Sequence, residues 1–280
     1  MSNHSKVLFW NIWGHRHADE IHDFLHQQAD ADVFCLTEVT DLASRELEKL
    51  NTVLCHSDRS DELASQVNGF AQLREHFNDT HILKYKSATR GKWTCKNNAT
   101  IFRGVGFGSV LIIKNGLDII DTGFEALAFD DEEIHSRILQ WVVYTKNGTC
   151  YLLAHLHGIW IKDNTKGDHA ERDNQSLKLR VNLIRIAHMY GVDKIIFGGD
   201  FNLDINTNAL RLIEGEHYRN LIKEFGVTST RTKAYRDYNK DGVSLYADYV
   251  LVSQNVNVRS FQVHNETLAS DHAPLVVEFS

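Results

Sequence analysis

Side chains that can bind a cation or transfer a proton stand next to several apolar segments of this chain. Glu38 follows the apolar residues 33–36, and Asp200 and Asn202 follow the apolar residues 195–197. The other side chains of this kind beside an apolar segment are Asn11, His155, Asp248, Asp271 and His272. If the segments are strands lying side by side, these carboxylates, amides and imidazoles converge on one rim. Burying so many polar groups together is costly unless a cation and a charged ligand compensate them.

Each of these residues also has an ordinary structural explanation when it is taken alone. A glutamate such as Glu38 is usually exposed to solvent, and Asn11 could simply form a turn. Asp248 lies within the β-forming residues 246–252, where a carboxylate faces solvent, has a buried partner, or protects an edge strand from aggregation. The most specific local feature is the Gly-Asp-Phe-Asn segment at 199–202, for which the alternative is a type I turn.

The segments that would position these groups alternate between strand and helix patterns near both ends of the chain. Apolar β-formers at 7–10 and 33–36 predict strands, and Ile21, Phe24 and Leu25 predict a helix between them. Further helices are predicted through Leu42, Leu47 and Leu50, through Val67, Phe70, Leu73 and Phe77, and over 175–190. Further strands are predicted at 82–85, 194–198, 247–253 and 274–279.

Two Asn-Gly pairs in the middle of the chain, at 115–116 and 147–148, each predict a β-hairpin, because Asn-Gly readily adopts the positive φ angles of a tight turn. The second pair would join strands at 138–144 and 150–155. Hairpins in the middle and alternating elements at both ends predict an α/β protein of the α+β four-layer sandwich type. In such a protein two packed, mainly antiparallel β-sheets are flanked by helices.

Composition favours a single domain over residues 1–280. The chain is 42% apolar, contains one proline and has no Pro-rich or Ser/Gly-rich linker. The 30 Lys and Arg against 37 Asp and Glu give a net charge of −7, which argues against nonspecific coating of nucleic acid. No apolar run reaches the roughly 18 residues that cross a bilayer, so we expect a cytoplasmic protein with no membrane span. We also expect a monomer, and the sequence implies no protein partner. The four cysteines form no C-x-x-C pair and are expected to be reduced thiols.

Five of these features occur in an order that resembles the endonuclease/exonuclease/phosphatase superfamily, whose fold is that of deoxyribonuclease I. They are, in chain order, Trp-Asn at 10–11, Leu-Thr-Glu-Val at 36–39, Gly-Asp-Phe-Asn at 199–202, Asp248, and Ser-Asp-His at 270–272. The resemblance covers nearly the whole chain and implies two packed sheets flanked by helices. It also implies that Glu38 is the principal metal ligand, that Asn11 and Asp271 lie near the metal and the substrate, and that His155 is a strand-end histidine of the site.

The reaction in such a site would be phosphoester hydrolysis with Mg²⁺, or with Mn²⁺ in its place, because oxygen ligands favour hard cations. His272, held by Asp248, would act as a general base or as a proton-bearing phosphate ligand, and Asp200 is the competing base. Asn202 would donate to a nonbridging phosphate oxygen. Protonated His155 would stabilise the transition state or serve the leaving group.

Two polar stretches are candidates for substrate binding. Residues 74–103 contain seven Lys or Arg against two acidic residues, with Trp93 and Phe102 among them, and could form an anion-binding loop or an ordinary solvated one. The second stretch, residues 162–180, lies just beyond the second predicted hairpin, and its candidates for phosphate binding are Lys166 and Arg172. His157, just before this stretch, is a further candidate for substrate binding. Solvation of an amphipathic helix explains the cations of this second stretch equally well.

The His155-Leu156-His157 triplet also allows a zinc site, because alternate residues of a strand face the same side. Hydrolases of the metallo-β-lactamase type use such a pair, but their motif continues at once with an aspartate and a third histidine. Here Gly158 follows instead. The surplus of carboxylates elsewhere in the chain favours a site for a hard cation.

The function that these features favour is divalent-metal-dependent hydrolysis of a phosphodiester, as in a nuclease, with DNA and RNA among the candidate substrates. One alternative is a phosphomonoesterase that acts on a small phosphorylated molecule or a lipid headgroup, as in inositol phosphatases and the sphingomyelinase-like branch. A second alternative is an inactive binding module that keeps the fold. The full set of Glu, Asp, Asn and His side chains argues against the inactive module.

Overall fold

The structure is a computed structural model that describes residues 4–42, 53–54, 65–94, 101–128, 137–161 and 166–280; at 53–54, 90–94 and 101–104 it describes the backbone alone. In chain order the strands are β1 (Ser5–Asn11), β2 (Val33–Leu42), β3 (Val53–Leu54), β4 (Ser65–Gln66), β5 (His81–Thr94), β6 (Ile101–Lys114), β7 (Asp118–Ala128), β8 (Arg137–Lys146), β9 (Thr149–His157), β10 (Lys194–Asp200), β11 (Tyr218–Asn220), β12 (Asp248–Ser253), β13 (Val258–Val263) and β14 (Leu275–Phe279). The helices are α1 (Ala18–Gln27), α2 (Gly69–Phe77), α3 (Ala170–Tyr190), α4 (Asn208–Glu214) and α5 (Leu221–Glu224), with a 3-10 turn at Trp13–His15. Among these described helices, none combines the length and the apolar character needed to cross a membrane.

The strands form two six-stranded sheets with the same arrangement of neighbours. The first sheet has the order β13-β14-β1-β2-β6-β5, and the second has the order β11-β12-β10-β9-β8-β7. The described neighbours are antiparallel except for β1 with β2 in the first sheet and β9 with β10 in the second. This confirms the predicted pair of mainly antiparallel sheets flanked by helices.

The alternation of side chains along β1 divides the core between two clusters. Val7 and Phe9 belong to the larger cluster, which lies between the sheets, and a Cβ added to Gly198 of β10 would lie 3.1 Å from the Phe9 ring. Leu8 and Trp10 belong to the smaller cluster, which packs β1 and β2 against α1 and α2. β1 is therefore apolar on both faces, and its polar residues are confined to its ends.

The structure confirms the second of the two predicted hairpins. Asn147 and Gly148, with φ angles of 51° and 76°, form a two-residue turn. The turn places Lys146 of β8 opposite Thr149 of β9. Positive φ at both central residues is the geometry that makes Asn-Gly favourable in a tight hairpin.

The hairpin predicted at Asn115 and Gly116 is wrong. β6 pairs with β2 and β5 in the first sheet, whereas β7 pairs with β8 in the second. The residues at 115–116 instead carry the chain from one sheet to the other. The backbone N–H and the side-chain amide of Asn115 donate to the carbonyls of Thr80 and Asp79 and anchor this connection. Asn-Gly favours a bend in the backbone, but the partner of each strand is decided by packing with distant segments.

Several other elements differ from the predictions at their boundaries. α3 begins at Ala170 rather than at 175, because the His169 side chain caps the helix by accepting from the Glu171 N–H at 3.3 Å. The strand predicted at 82–85 is the longer β5, and the helix predicted through Val67 to Phe77 is α2. Leu42, placed in a predicted helix, ends β2, and residues 43–50 lie outside the described residues.

The basic stretch at 74–103 is not one loop. Arg74 lies on α2, and Lys84 and Lys86 lie on β5, at the edge of the first sheet. The remaining basic side chains of the stretch, and those of Trp93 and Phe102, lie outside the described side chains. The described part of this stretch therefore presents its cations on regular elements rather than on a single flexible loop.

Candidate active site

The candidate active site lies where the ends of the parallel strands of both sheets meet. Asn11 is the last residue of β1, and His157 and Asp200 are the last residues of β9 and β10, where they are paired in register. Asp248 is the first residue of β12 and is paired with Asp200. Glu38 lies in a bulge of β2, with a φ of 58°. A bulge of this kind re-aims a side chain, and here it directs the Glu38 carboxylate to the edge.

Asn11 joins the two sheets at this edge. Its Nδ2 donates to Glu38 Oε1 at 3.0 Å and to Asp200 Oδ2 at 3.0 Å. Its Oδ1 accepts from the backbone N–H of Trp13 at 3.0 Å, which fixes the orientation of the amide. Burial raises the pKa of Glu38, although His272 and the bond from Asn11 act to lower it. A bound cation would stabilise the charged form of such a carboxylate.

Asp200 is buried, with 1% of its surface exposed, and remains a carboxylate. Burial acts to raise its pKa, but His272 and other neighbours outweigh this and hold the pKa below the usual range. Its Oδ1 accepts from the backbone N–H of Asn202 at 2.9 Å, and the φ of Asn202 is 54°. The Asn202 side chain donates to the Gly158 carbonyl at 3.2 Å and to Asp200 Oδ2 at 3.4 Å. Its predicted bond to a phosphate oxygen would therefore replace one of these contacts.

His272 and Asp248 form a buried pair beside Asp200. His272 Nδ1 lies 2.9 and 2.8 Å from the two carboxylate oxygens of Asp248, and Nε2 lies 3.5 Å from Asp200 Oδ2. Burial and the nearby Arg231 act to lower the pKa of His272, but Asp248 and Asp200 outweigh them and raise it. One imidazole is thus placed between two carboxylates, each facing a different ring nitrogen.

Two further side chains, to which the sequence analysis gave no separate role, hold His272 in place. Ser270 Oγ accepts from the His272 backbone N–H at 3.1 Å and donates to the Asn11 carbonyl at 2.7 Å. Trp10 Nε1 donates to the His272 carbonyl at 2.9 Å. The Trp-Asn and Ser-Asp-His segments, from opposite ends of the chain, are therefore bonded directly to each other.

Asp271 is bonded to an arginine that the sequence analysis missed. Arg231 Nη1 donates to Asp271 Oδ2 at 2.7 Å, and the Arg231 guanidinium lies 4.5 Å from the centre of the Tyr235 ring. Asp271 belongs to neither of the two groups of potential metal ligands among the described residues. The structure thus places Asp271, which the resemblance puts near the metal and the substrate, beside the site, with Oδ1 3.9 Å from His272 Nε2 and Oδ2 already bonded to the Arg231 guanidinium. No helix or strand pattern surrounds Arg231, so the sequence offers no signal for it.

β9 brings His157 rather than His155 to the site, so the prediction that His155 is the strand-end histidine of the site is wrong. β9 continues two residues past His155, and His157 Nε2 lies 3.5 Å from Asp200 Oδ2 and 3.8 Å from Glu38 Oε1. His155 is fully buried, with Nε2 2.9 Å from Gln140 Oε1, and burial lowers its pKa to about 3. His155 is therefore neutral at neutral pH and cannot supply the predicted positive charge.

The alternative zinc site at the same two histidines also fails. The two groups of potential metal ligands among the described residues include His157 but not His155. The imidazole of His155 is bonded to Gln140, whose side-chain amide in turn donates to the Lys84 carbonyl at 2.6 Å. This chain of hydrogen bonds ties β9 and β8 to β5, so the role of His155 in the structure is to link the two sheets.

Of the other two candidates for substrate binding, Lys166 lies near the site, and Arg172 lies in the first turn of α3. Lys166 Nζ donates to two backbone carbonyls, the nearer being that of Tyr246 at 2.9 Å. Burial lowers the pKa of Lys166 to about 7, and the nearby Asp200 opposes this effect. Arg172 is buried and donates to the Gly167 carbonyl at 2.7 Å, a contact that holds the segment next to Lys166.

A second cation that the sequence analysis missed is Arg137, the first residue of β8. It is buried, and its Nε donates to the Gly158 carbonyl at 2.7 Å. Burial lowers its pKa to about 10, while Asp200 and Glu38 act to raise it, so the guanidinium stays charged close to these carboxylates. Arg137 directly precedes the strand predicted at 138–144. The search for polar residues beside apolar segments, which identified Asn11 and Asp200, could therefore also have identified Arg137.

Three side chains at this edge could hold one metal ion. Glu38, His157 and Asp200 each offer one ligand atom within 4.8 Å of the others. Asp200 also belongs to a second such group, with Asp248 and His272. The first group has two carboxylates and lies beside the Asn11 amide, and a donor set rich in oxygen suits a hard divalent cation. The residues present therefore fit the cation that the fold implies.

Several solved structures are similar to this chain over nearly its whole length. Among solved structures, the chain is similar to the mannosyl-6-phosphatase Bt3783 of Bacteroides thetaiotaomicron VPI-5482, with a TM-score of 0.68 and 14% identity over 99% of each chain. It is similar to the human Nocturnin catalytic domain, with a TM-score of 0.65 and 18% identity over 99% of this chain and 93% of that one. It is also similar to a humanized D. rerio TDP2, with a TM-score of 0.64 and 14% identity over 100% of each chain. These likenesses show the shared fold.

No curated protein sequence matches the chain. The model of the Endonuclease/Exonuclease/phosphatase family, however, matches residues 8–272. This match includes β2, β9, β10 and β12 and the end of β1 that carries Asn11, and it extends to His272. With nearly the whole chain matched, this protein belongs to the endonuclease/exonuclease/phosphatase family.

Proposed function

We propose that this protein hydrolyses phosphate esters, and phosphodiesters in particular, with Mg²⁺ or Mn²⁺ as its cofactor. The proposal rests above all on one contact, the Asn11 amide that donates to both Glu38 and Asp200 and so gathers carboxylates of both sheets at one place. Membership of a family of phosphoester hydrolases supports the same reaction.

Glu38 and Asp200, with Asn11 and His157 beside them, would hold the divalent cation. When it is bound, the cation would neutralise charge on the phosphoryl oxygens and favour the attack of water. The amide of Asn11 holds one oxygen of each carboxylate and thereby orients the donor set in advance.

His272 is the proposed acceptor of the proton from the attacking water. Asp248 binds Nδ1, so the other nitrogen, Nε2, faces Asp200, and a proton accepted there would be stabilised by both carboxylates. Asp200 is proposed to orient the water rather than to take its proton, because its Oδ2 already accepts from Asn11. The charged guanidinium of Arg137 would attract the anionic substrate to this edge.

A phosphomonoesterase acting on a small molecule is the second candidate, and two buried cations favour it. Lys166 and Arg231 are both buried, and both interact with the charges of Asp200 and Asp248. A phosphomonoester carries a charge of about −1.5 to −2, which needs more compensation than the single charge of a diester. Arg231, and Lys166 in its protonated form, would supply part of that further compensation.

A panel of substrates, assayed with Mg²⁺ and with EDTA, separates these candidates. The panel contains plasmid DNA, RNA, an activated phosphodiester, an activated phosphomonoester, inositol phosphates and phospholipid vesicles. We expect Mg²⁺-dependent cleavage of a diester that is lost in EDTA and in Asp200→Ala, but kept in the exposed control variant His217→Gln. Release of inorganic phosphate from monoesters without diester cleavage would establish the second candidate instead. No turnover of any substrate by protein that binds Mg²⁺ would contradict both.

A further inference from the structure

The outer side of α3 carries a row of exposed apolar side chains. Leu177, Val181 and Ile184 have 46%, 63% and 49% of their surface exposed. They are spaced by four and then three residues, as are the d, a and d positions of a heptad repeat. Asn174 and His188, which are also exposed, continue the same spacing at the two ends. Leu177, Val181 and Ile184 are called the α3 seam below.

The α3 seam is not what attaches the helix to the rest of the protein. The opposite side of α3 does this through Leu179, Leu183 and Ile186, which are buried in the larger core cluster. Valine and isoleucine are weaker helix formers than alanine, lysine or glutamate, so their side chains bring an exposed helix surface no advantage of their own. Single apolar residues on a surface are ordinary, but three at heptad spacing indicate a contact with something outside the fold.

The width of the α3 seam indicates that its partner is a helix. An apolar row restricted to the a and d positions is the narrow strip along which two helices pack. A helix that lies in a membrane surface has a broader apolar face. Here cations border the row on both sides, with Lys178 and Arg185 at the e positions and Arg180 at a g position. The row is therefore wide enough for one partner helix and narrow for a bilayer.

The charges beside the α3 seam indicate what kind of helix fits. Arg185 Nη2 lies 2.5 Å from Glu125 Oε1 of β7, and Arg180 Nη1 donates to the Leu212 carbonyl of α4 at 3.4 Å. Both borders of the seam carry cations, although the whole chain has a net charge of −7. Two copies of the seam would bring Lys178, Arg180 and Arg185 against like charges, which disfavours self-association. A helix with carboxylates at its flanking positions would instead be attracted.

We propose that the α3 seam is a docking surface for an amphipathic helix of another protein, in which apolar a and d residues are flanked by Asp and Glu. The apolar residues of that helix would pack between the seam side chains, and its carboxylates would lie beside Lys178 and Arg185. The contact would extend over residues 174–188, about 22 Å of helix, and is expected to be weak and reversible. The inference does not depend on the proposed phosphoesterase activity, because the seam shares no side chain with the candidate active site.

The test uses a fluorescent synthetic peptide of about four heptads with Leu at the a and d positions and Glu at the e and g positions. A control peptide has Lys in place of each of these Glu residues. Fluorescence anisotropy measures the binding of each peptide to the whole chain. We expect the Glu peptide to bind at least tenfold more tightly than the Lys peptide. This difference should shrink when the ionic strength is raised from about 0.1 M to about 1 M, because the Debye length falls from about 10 Å to about 3 Å.

Substitutions on α3 locate the binding. The double variant Val181→Gln, Ile184→Gln should weaken binding of the Glu peptide at least tenfold. The matched control Leu268→Gln, which changes an apolar residue with 58% of its surface exposed outside α3, should bind the peptide like the wild type. Lys178→Glu changes one exposed charge, and should weaken binding of the Glu peptide and strengthen binding of the Lys peptide. It keeps the test decisive if the double variant folds poorly.

Equal affinity for the two peptides, or unchanged affinity for the Glu peptide in the variants of α3, would overturn the proposal. Sedimentation of the chain alone and binding to phosphatidylserine vesicles test the two other occupants. Self-association that is lost in the double variant would show that a second copy of this chain covers the α3 seam. Binding to the vesicles without binding to the Glu peptide would show that a membrane surface covers it. Either result would also overturn the proposal.

Discussion

At the residue scale, the site depends on one imidazole placed between two carboxylates. Asp248 lies 2.8 Å from His272 Nδ1, and Asp200 lies 3.5 Å from Nε2. Since Asp248 contacts the nitrogen that faces away from Asp200, it determines which nitrogen is directed to the site. Asp248 is therefore a positioning residue, and it acts on the reaction through His272.

Asp248→Asn is expected to lower kcat/KM by about 10² to 10⁴-fold, because an amide that donates to Nδ1 selects the wrong tautomer of His272. His272→Gln should lower kcat/KM by a similar factor. The variant with both changes should lose little more than either single variant, since residues that act as a unit are not additive. The measurement is kcat/KM on the substrate that the panel identifies, with His217→Gln as the control. Fully additive losses would show that the two side chains act separately.

His155 predicts a pH dependence of stability. Burial lowers its pKa to about 3 in the folded protein, from about 6.5 in the unfolded chain. Below pH 6.5 His155 is therefore protonated in the unfolded chain but neutral in the folded protein. Its contribution to the free energy of unfolding is complete above pH 6.5 and is lost as the pH falls toward 3. Between pH 6.5 and 5 the loss from this residue is about 2 kcal/mol.

The variant His155→Gln can keep a hydrogen bond to Gln140. Between pH 6.5 and 5 its free energy of unfolding should therefore fall by about 2 kcal/mol less than that of the wild type. Urea unfolding at a series of pH values measures this difference. The exposed variant His188→Gln should follow the wild type. If His155→Gln shows the same pH slope as the wild type, the histidine is not held neutral by burial.

At the element scale, the end of β9 and the segment after β10 approach each other at Gly158. Its N–H donates to the Asp200 carbonyl, and its own carbonyl accepts from the Asn202 side chain. A Cβ added to Gly158 would overlap with the carbonyl of Phe201. The absence of a side chain here is what allows His157 and Asp200 to lie side by side at the ends of their strands.

Gly158→Ala is expected to destabilise the fold by about 1 to 3 kcal/mol, because the added methyl forces two backbone segments apart. It should also lower kcat/KM at least tenfold, since the shift separates His157 from Asp200. The matched control is Gly148→Ala, where nothing lies within 4 Å and the φ of 76° alone costs about 1 to 2 kcal/mol. The control should keep its kcat/KM. Equal kcat/KM in both variants would contradict the role given to Gly158.

The sequence predicts strands and turns that depend on neighbouring residues, but it does not predict which strands pair with each other. The strands at 7–10 and 33–36 and the turn at Asn147 and Gly148 were predicted correctly, because apolar runs and turn chemistry are local properties. The same turn signal at Asn115 and Gly116 failed, since the choice between two sheets is made by distant segments.

The candidate site shows the same division between local and distant information. Polar residues at the ends of apolar runs identified Asn11, Asp200 and Asp248, which the structure brings together. The predicted end of β9 was two residues too early, so His155 was assigned to the site in place of His157. Alternate residues of a strand share a face, and periodicity alone does not show where the strand ends. Arg231 comes from a segment without regular pattern, so only the folded chain reveals it.

At the scale of the whole molecule, the site is built from both sheets. Asn11 and Glu38 come from the first sheet, and His157 and Asp200 come from the second. The distances between their side chains therefore depend on how the sheets are packed. Phe9, whose ring lies against β10, is one of the side chains that sets this packing.

Phe9→Leu and Phe34→Leu provide a matched comparison, because both phenylalanines are fully buried in the first sheet, at 1% and 0% exposure. Each change should destabilise the fold by about 1 to 2 kcal/mol. Phe9→Leu should also lower kcat/KM several-fold, since it alters the contact between the sheets. Phe34→Leu, in the cluster under α1 and α2, should leave kcat/KM nearly unchanged. Equal effects on kcat/KM would show that packing between the sheets does not control the site.

The most direct test of the proposed phosphoesterase is the dependence of kcat/KM on the concentration of Mg²⁺, measured for the wild type, Glu38→Gln and the exposed control Glu216→Gln. We expect the activity of the wild type and of Glu216→Gln to rise with Mg²⁺ and to disappear in EDTA. Glu38→Gln should need at least tenfold more Mg²⁺, or should lose activity at every concentration, because it lacks a carboxylate ligand. Full activity in EDTA, or a Mg²⁺ dependence of Glu38→Gln equal to that of the wild type, would contradict a metal-dependent site at Glu38.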